Sequence, residues 1–423
     1  MLCIDRAIMF CLSLLILVLP IARTITVRSI AIGAAFILLI ARIIVSKKHG
    51  FVKTSLELPL AAFATAAIVS FFSSIDVGQS LKEFWREFIT PVIVLCTVYL
   101  SIQNKKSALI LCCTLLFGSL IFSLYSFFDF YRHDGTWLHM TYKAGGLRDP
   151  GGGEAAGLYH TLVIPFIFWG LFYTKERGYR FALIMLLILN AAALYITFTR
   201  ASYLALAAEA FVALFLLLSQ NRFGKRLAIA LVILLLSAVL PVMLTFKGMN
   251  IPTINEFITM SPEEIVVKYA EEERTGAGHR LAMWKTALEK ISEDPLHPHG
   301  YGRFLFGRVV RNEGNKDFIY SQVHNTFIGM AFELGLQGFL VFLWMILSFA
   351  FFFLKKLRQP FQDKDSLPRY FSAAMLTMMS GYWVNNFFGS FDAGDSKLLF
   401  MLLLGIGAAL THRLPLLGEE NAS

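Results

Sequence analysis

Three stretches of this 423-residue chain, Ser107 to Phe128, Phe181 to Thr199 and Leu227 to Phe246, contain no charged side chain at all. Roughly 18 or more apolar residues in helical conformation cross about 30 Å of hydrocarbon, so each run is long enough to span a bilayer. Their apolarity is continuous. A transmembrane β-barrel would instead alternate polar and apolar residues in segments of about ten. A helix satisfies its own backbone polar groups in lipid, so helices are expected. With 57% hydrophobic and 16% charged residues, the whole chain falls outside the composition of ordinary soluble domains. The expected fold class is an all-α polytopic membrane protein.

Reading outward from those runs places about twelve spans, near 7–22, 27–45, 56–73, 87–102, 107–130, 156–174, 181–199, 201–219, 227–246, 325–354, 370–388 and 397–412. One early cation, Arg6, precedes the first run, and no small-x-small cleavage site follows before Arg23, so the run is read as a span rather than a signal peptide. Cations cluster in alternate short loops: Lys47, Lys48 and Lys53; Lys105 and Lys106; Lys175, Arg177 and Arg180; Arg222, Lys225 and Arg226; Lys355, Lys356 and Arg358. By the positive-inside rule those loops and both termini are cytoplasmic. The formal net charge of +9 then reflects topology and anionic headgroups, and no nucleic-acid partner is expected. All five cysteines (Cys3, Cys11, Cys96, Cys112, Cys113) lie in or near spans, which argues against disulfides or Cys-bound metal on the outer side.

The expected organisation is a transmembrane block over 1–246, a large helical extracytoplasmic loop over 247–323, and a second transmembrane block with a cytoplasmic tail over 324–423. A polar segment this long between short connections is expected to be functional. Within it, Ser261-Pro262-Glu263-Glu264 reads as a helix start, with Ser at the N-cap, Pro at N1 and Glu at N3 completing a capping box, and a helix to about Glu273 follows. A second helix is expected from His279 to Ile291, with Leu281, Trp284, Leu288 and Ile291 on one face. Asp294-Pro295 ends it, and Gly300-Tyr301-Gly302-Arg303-Phe304 forms a turn.

Three side chains are equipped for chemistry. Arg200 sits between two spans with hardly any loop, Arg280 opens the second loop helix, and His324-Asn325 begins the span after the loop. Guanidinium forks suit phosphate oxygens. A histidine at a helix N-terminus is disfavoured as a cation and stays able to accept a proton. The combination suits transfer of a sugar from a lipid diphosphate to a hydroxyl.

At these residues the chain resembles the O-antigen ligase and O-antigen polymerase superfamily. The resembling stretches are Thr-Phe-Thr-Arg-Ala-Ser (197–202), Gly-His-Arg-Leu-Ala-Met-Trp (278–284), Asp-Pro-Leu with Gly-Tyr-Gly-Arg-Phe (294–304), and His-Asn-Thr-Phe from His324 through Glu333, Gly335 and Gly338. The likeness in order and spacing runs from about Gly145 to Gly338. The Gly-Gly-Gly-Glu-Ala-Ala-Gly stretch (151–157) and the Arg-Leu-Ala-Met segment look closer to ligases that complete lipopolysaccharide than to polymerases. The resemblance implies an inverting, metal-independent glycosyltransferase in a Gram-negative inner membrane, without a cofactor, its active site on the periplasmic side. Its donor would be a glycan on undecaprenyl diphosphate and its acceptor lipid A-core. Arg200 and Arg280 would hold the diphosphate, His324 would be the general base, and Asn325 and Trp284 would support them.

Each assignment has a plainer competitor. Arg200 as a headgroup anchor, Arg280 paired with one of Glu271 to Glu273, and His324 as a satisfied interfacial histidine are the alternatives. Trp284 is read as loop packing rather than a sugar platform. Glu209, an acid inside a span, is a functional candidate on general grounds, although it lies about 13 Å along its helix from Arg200. His297 and His299 have no metal-site spacing. Asp363-Lys364-Asp365 imitates the metal-binding Asp-x-Asp of nucleotide-sugar transferases, but falls in an expected cytoplasmic loop, away from the other groups. Two further function classes stay open: a polymerase extending the lipid-linked glycan, and a transporter with an outer cap, for which no paired broken spans are found.

Overall fold

The computed structural model describes residues 2–47, 53–137, 142–147, 152–219, 259–261, 264–265, 277–312, 320–358, 367–389 and 394–414. Among them every regular element is helical: α1 (Leu2–Val18), α2 (Ile25–Ser46), α3 (Glu57–Ser70), α4 (Val77–Phe84), α5 (Thr90–Ser101), α6 (Lys105–Arg132), α7 (Gly153–Tyr173), α8 (Arg177–Tyr195) and α9 (Arg200–Ser219). The polar insertion contributes α10 (Ala277–Glu293) and α11 (Leu305–Asn312), and after it come α12 (Thr326–Arg358), α13 (Leu367–Phe387) and α14 (Gly394–Ala408). Among the described residues, eight helical segments are long and apolar enough to cross a membrane. The protein is therefore an all-α, multi-pass membrane protein. The expected span at 227–246, the first loop helix beyond Ile265 and the Asp363-Lys364-Asp365 triplet lie outside the described residues.

Local chemistry explains where helices begin. Asp76 and Asn104 accept from Gln79 N and Ser107 N at 2.9 Å each, capping α4 and α6 and satisfying backbone donors that a helix start leaves open. The expected capping box is present: Ser261 N donates to Glu264 Oε2 at 2.7 Å, and Glu264 N donates to Ser261 Oγ at 3.2 Å.

One boundary differs from the sequence expectation. The span expected to start at residue 87 starts at Val77, with α4 and α5 joined through a π-helical turn, Trp85–Ile89. Lys82, Glu83, Arg86 and Glu87 break the apolar pattern there. Two of these four, Glu83 and Glu87, are buried and paired: exposed Arg86 meets them at 2.8 and 2.7 Å, and Lys397 of α14 meets Glu87 at 2.9 Å.

Without a hydrophobic force between helices in lipid, close packing by small residues holds a bundle together. α13 packs on α7 and α9, with Ala373 and Ala374 sharing a cluster with Ala213 of α9 and Gly381 lying against Glu209. α14 is the central helix, with 83% of its apolar window buried against 17% for α8, so α8 is the lipid-facing counterpart.

α12 is broken. Gly335 has φ 68° and ψ 172°, a conformation open essentially to glycine, and the carbonyls freed by the break are taken by the polar insertion. His299 N donates to Phe332 O at 3.3 Å, Gly300 N to Glu333 O at 3.1 Å, and Leu336 N to Pro295 O at 2.9 Å. The chain then turns through Gly300 (φ 103°) and Gly302 (φ 138°), and Tyr301 between them is buried, edge-on to Phe63 and Phe84. These interactions dock the cap onto the bundle.

Between cap and bundle lies a small core of Met283, Ala287, Phe306, Val309, Val310, Val323 and Phe332. This corrects the expected apolar face of α10. The helix is as expected, a few residues longer at each end, but Leu288 is 43% exposed while Ala282, Met283 and Ala287 are buried. Trp284 and Ile291 pack against this core as expected, Ala287 joins it, and Ala282 and Leu281 pack with Ile265 and Met260 instead.

Candidate functional site

The first turn of α7 organises the site. A side chain on Gly153 would lie 2.5 Å from Thr197 O, and one on Gly157 would overlap Ser202 Oγ. Glycines at these positions let α7 touch the Thr197–Ser202 turn directly. That turn carries Arg200 at the start of α9 and is fixed by Asn385 of α13, whose Nδ2 donates to Ser202 Oγ at 3.0 Å. Arg200 also takes part in interactions of its own.

One residue around the same helix turn, Glu154 accepts a hydrogen bond from Arg280 Nη2 at 2.7 Å. Arg280 therefore pairs with α7 of the bundle; Glu271 to Glu273, its expected competitors, lie outside the described residues. Glu154 is 68% exposed and Arg280 28%, so this pair is open to solvent.

His324 faces the same place from α12. Its backbone has φ 54°, a left-handed conformation uncommon outside glycine but several-fold enriched in histidine. Asn325 supplies the helix cap, its Oδ1 accepting from Phe327 N and Ile328 N at 2.9 and 3.0 Å. Burial, first of all, holds the imidazole pKa below its ordinary 6.5, and the positive charges of Arg280 and Arg303 push it the same way, against Glu154. The neutral ring expected from the sequence is thus favoured, but by burial and neighbouring guanidiniums rather than chiefly by the helix dipole. Gln322 Nε2 lies 3.1 Å from His324 Nε2, a contact that suits a ring nitrogen carrying a lone pair.

His324 borders a narrow cleft of about 30 Å³ whose walls include Glu83, Glu87, Arg303, Asn325, Glu333 and Lys397. Glu333 Oε2 accepts from Gly302 N at 2.8 Å, which fixes the turn that presents Arg303. The Lys397–Glu87 pair at the back is 1% and 4% exposed. Of these, sequence reasoning passed over Arg303, Glu154, Glu83, Glu87, Lys397 and Gln322 as site residues. Arg303 and Glu154 stood inside stretches already singled out, and their charge was the available signal. Glu83, Glu87 and Lys397 come from parts of the chain with no local motif.

The remaining candidates divide. Trp284 packs on Phe387 and Phe388 with ring centroids 5.8 and 6.4 Å away, in keeping with the packing reading. His299 stacks on Phe332 at 4.1 Å and serves the junction with α12, with His297 edge-on to it. Glu209 is 2% exposed, neither carboxylate oxygen has a hydrogen-bond partner, and it lies against Gly381 of α13, within the helix contact rather than at the site.

Comparison with known proteins bears on this arrangement directly. A protein of Haemophilus influenzae (strain ATCC 51907 / DSM 11121 / KW20 / Rd), described only as uncharacterized, is 32% identical over 98 residues, which is 22% of this chain and 25% of that protein. The chain thus aligns with only a quarter of that relative's length. Residues 185–343 match the O-antigen ligase family, a stretch that runs from α8 through Arg200, the insertion and Arg280 to His324 and the break in α12. That stretch is under half of the chain, and over it the chain is similar to the O-antigen ligase family.

Proposed function

We propose that this protein is an O-antigen ligase: an inverting, metal-independent transferase that moves a glycan from undecaprenyl diphosphate to a sugar hydroxyl of lipid A-core, on the periplasmic side of a Gram-negative inner membrane. The observation that carries the reading is His324, whose imidazole is kept neutral by burial and by the charges of Arg280 and Arg303, next to a guanidinium held ready by an exposed partner. In the reaction the acceptor O–H gives its proton to the lone pair of His324, the acceptor oxygen bonds to C1 of the donor glycan from the face opposite the leaving group, and the C1–O bond to the diphosphate breaks. The bonding pair leaves with undecaprenyl diphosphate. Arg280 and Arg200 neutralise the diphosphate as charge develops on it. Glu154 holds the Arg280 fork in the apo protein and yields it to a more highly charged partner.

The glycine-rich first turn of α7, which touches the Arg200 turn and carries Glu154, favours the ligase over the polymerase through the resemblance of that stretch to ligases. The deciding experiment is the lipopolysaccharide of a deletion strain. Bare core with lipid-linked polymer accumulating supports the ligase. Core carrying a single repeat assigns a polymerase, and unchanged lipopolysaccharide removes both.

A further inference from the structure

A cavity far larger than the cleft at His324 lies toward the opposite end of α7. There α6, the last turns of α7, α8 and the first turns of α13 enclose about 1010 Å³, with walls that include Leu116, Phe117, Phe166, Trp169, Leu186 and Phe371. No charged side chain lines it. A polar ligand would lose its hydration there without replacement, so the wall calls for hydrocarbon. On α6 it runs from Leu109 to Leu120, roughly 17 Å at 1.5 Å per residue, which is about one leaflet of a hydrocarbon core about 30 Å thick. On α7 and α13 it keeps to the same end, from Phe166 to Thr174 and from Leu367 to Ala374, and it reaches deepest on α8, to Ala192.

The rim has the opposite character. α6 opens with Lys105 and Lys106, and Lys175, Arg177 and Arg180 stand at the start of α8, all of them exposed, against a single acid, Glu176, in the same two stretches. Arg180 is tied to the rim itself, its Nε donating to the carbonyl of the lining residue Thr174 at 2.6 Å. Lys106 lines a second apolar groove of about 630 Å³, which continues round α6 toward α1 and shares Leu109, Cys113 and Phe117 with the first. By the positive-inside rule these cations face the cytoplasm, where the leaflet carries anionic headgroups and basic pockets between spans recognise them.

We propose that this groove seats an anionic diacyl phospholipid of the cytoplasmic leaflet, its phosphate on the rim of Lys106, Arg177 and Arg180 and its acyl chains along α6 and α8. A zwitterionic lipid would gain little from such a rim, and a polyprenyl chain would outrun a wall one leaflet deep on α6. The seat bears on the far end of the bundle as well. Trp169 in its wall donates from Nε1 to Thr377 Oγ1 of α13 at 3.0 Å, which joins the helix carrying Glu154 to the helix carrying Asn385. The proposal stands apart from the glycosyl-transfer reading.

The test titrates full-length protein, purified in detergent and stripped of lipid, with phosphatidylglycerol, phosphatidylcholine and the neutral polyprenol undecaprenol, counting bound lipid by native mass spectrometry. Wild type should hold phosphatidylglycerol about 100-fold more tightly than phosphatidylcholine, the scale of three basic residues at an anionic headgroup, and should lose that margin at molar salt, where charges are screened beyond about 3 Å. The variant Lys106→Gln/Arg177→Gln/Arg180→Gln should hold the two lipids alike. Gly170→Phe should weaken both, because a Cβ at Gly170 meets nothing nearer than Leu183 Cδ1 at 3.5 Å and the ring occupies the groove. Equal binding of the two lipids by wild type, a preference unchanged in the triple variant, or displacement of phosphatidylglycerol by an equal amount of undecaprenol overturns the proposal. Should the triple variant fail to accumulate, a preference that survives molar salt, or undiminished binding by Gly170→Phe, overturns it instead. None of these measurements reads glycosyl transfer, so failure here and failure of the proposed reaction are distinguishable.

Discussion

Two ion pairs flank His324, and they are built in opposite ways. Arg280–Glu154 joins the cap to the first turn of α7 with its carboxylate 68% exposed, whereas Lys397–Glu87 joins α14 to the π-helical turn after α4 with both partners almost completely enclosed. An exposed pair contributes little to stability, typically about 0–1 kcal/mol, and exchanges readily for another partner. A buried pair cannot be halved without stranding a charge. The exposed flank is therefore suited to handing a guanidinium to substrate, and the enclosed flank to holding a wall in place.

The sharpest way to test this division is to remove the base between the flanks. His324→Ala should leave abundance normal while transfer falls about 10²–10⁴-fold, the range typical of general base catalysis; near-normal turnover of the purified variant would reduce His324 to a helix-end residue. Next in size, Lys397→Met should lower stability by up to about 3–5 kcal/mol by leaving buried Glu87 with only the half-exposed Arg86 as its charge partner, seen as lost membrane abundance and early thermal unfolding. The double variant Lys397→Met/Glu87→Leu should recover much of that loss. If Lys397→Met is stable but inactive, the enclosed pair belongs to the chemistry and the division fails.

On the exposed flank, Arg280→Lys keeps the charge and loses the planar fork. Donor binding should weaken roughly 10–100-fold, the value of a charge-assisted hydrogen bond, with abundance unchanged. Full activity in the lysine variant would show that no fork is needed. The smallest effect is expected from Glu154→Gln. Glu154 is the neighbour that raises the His324 pKa, so its loss lowers that value further. The acidic limb of the pH–rate profile, already below 6.5 because the neutral imidazole is the active form, should shift to lower pH. A shift upward would mean that Glu154 does not act on His324 electrostatically.

What was legible in the sequence follows from the range of the interactions. Charge-free runs announce their helices, and Ser261 with Glu264 announces a capping box, because those signals are local. Arg200, Arg280 and His324 were legible as candidates through their motifs. Their relation was not, since it passes through Glu154 and through contacts between residues more than a hundred positions apart. The start of the fourth hydrophobic segment at Val77 was hidden because Glu83, Arg86 and Glu87 look like solvated charges until Lys397 arrives from the far end of the chain. The apolar stripe of α10 was legible in Leu281, Trp284 and Ile291, while exposed Leu288 and buried Ala282 and Ala287 were not, because α10 packs on two sides, against Phe332 and against Ile265.

The junction at Gly335 has an evolutionary corollary. Cap and bundle are stitched there by main-chain groups, Pro295 O to Leu336 N and the N–H groups of His299 and Gly300 to the carbonyls of Phe332 and Glu333. Main-chain bonds do not read side-chain identity. The bonds themselves tolerate substitution where the side chain is not separately engaged, as at Pro295 and Leu336, and do not tolerate insertion, because a single added residue between Pro295 and Gly300 puts them out of step. Drift can rewrite the letters of this seam, but it cannot change their number.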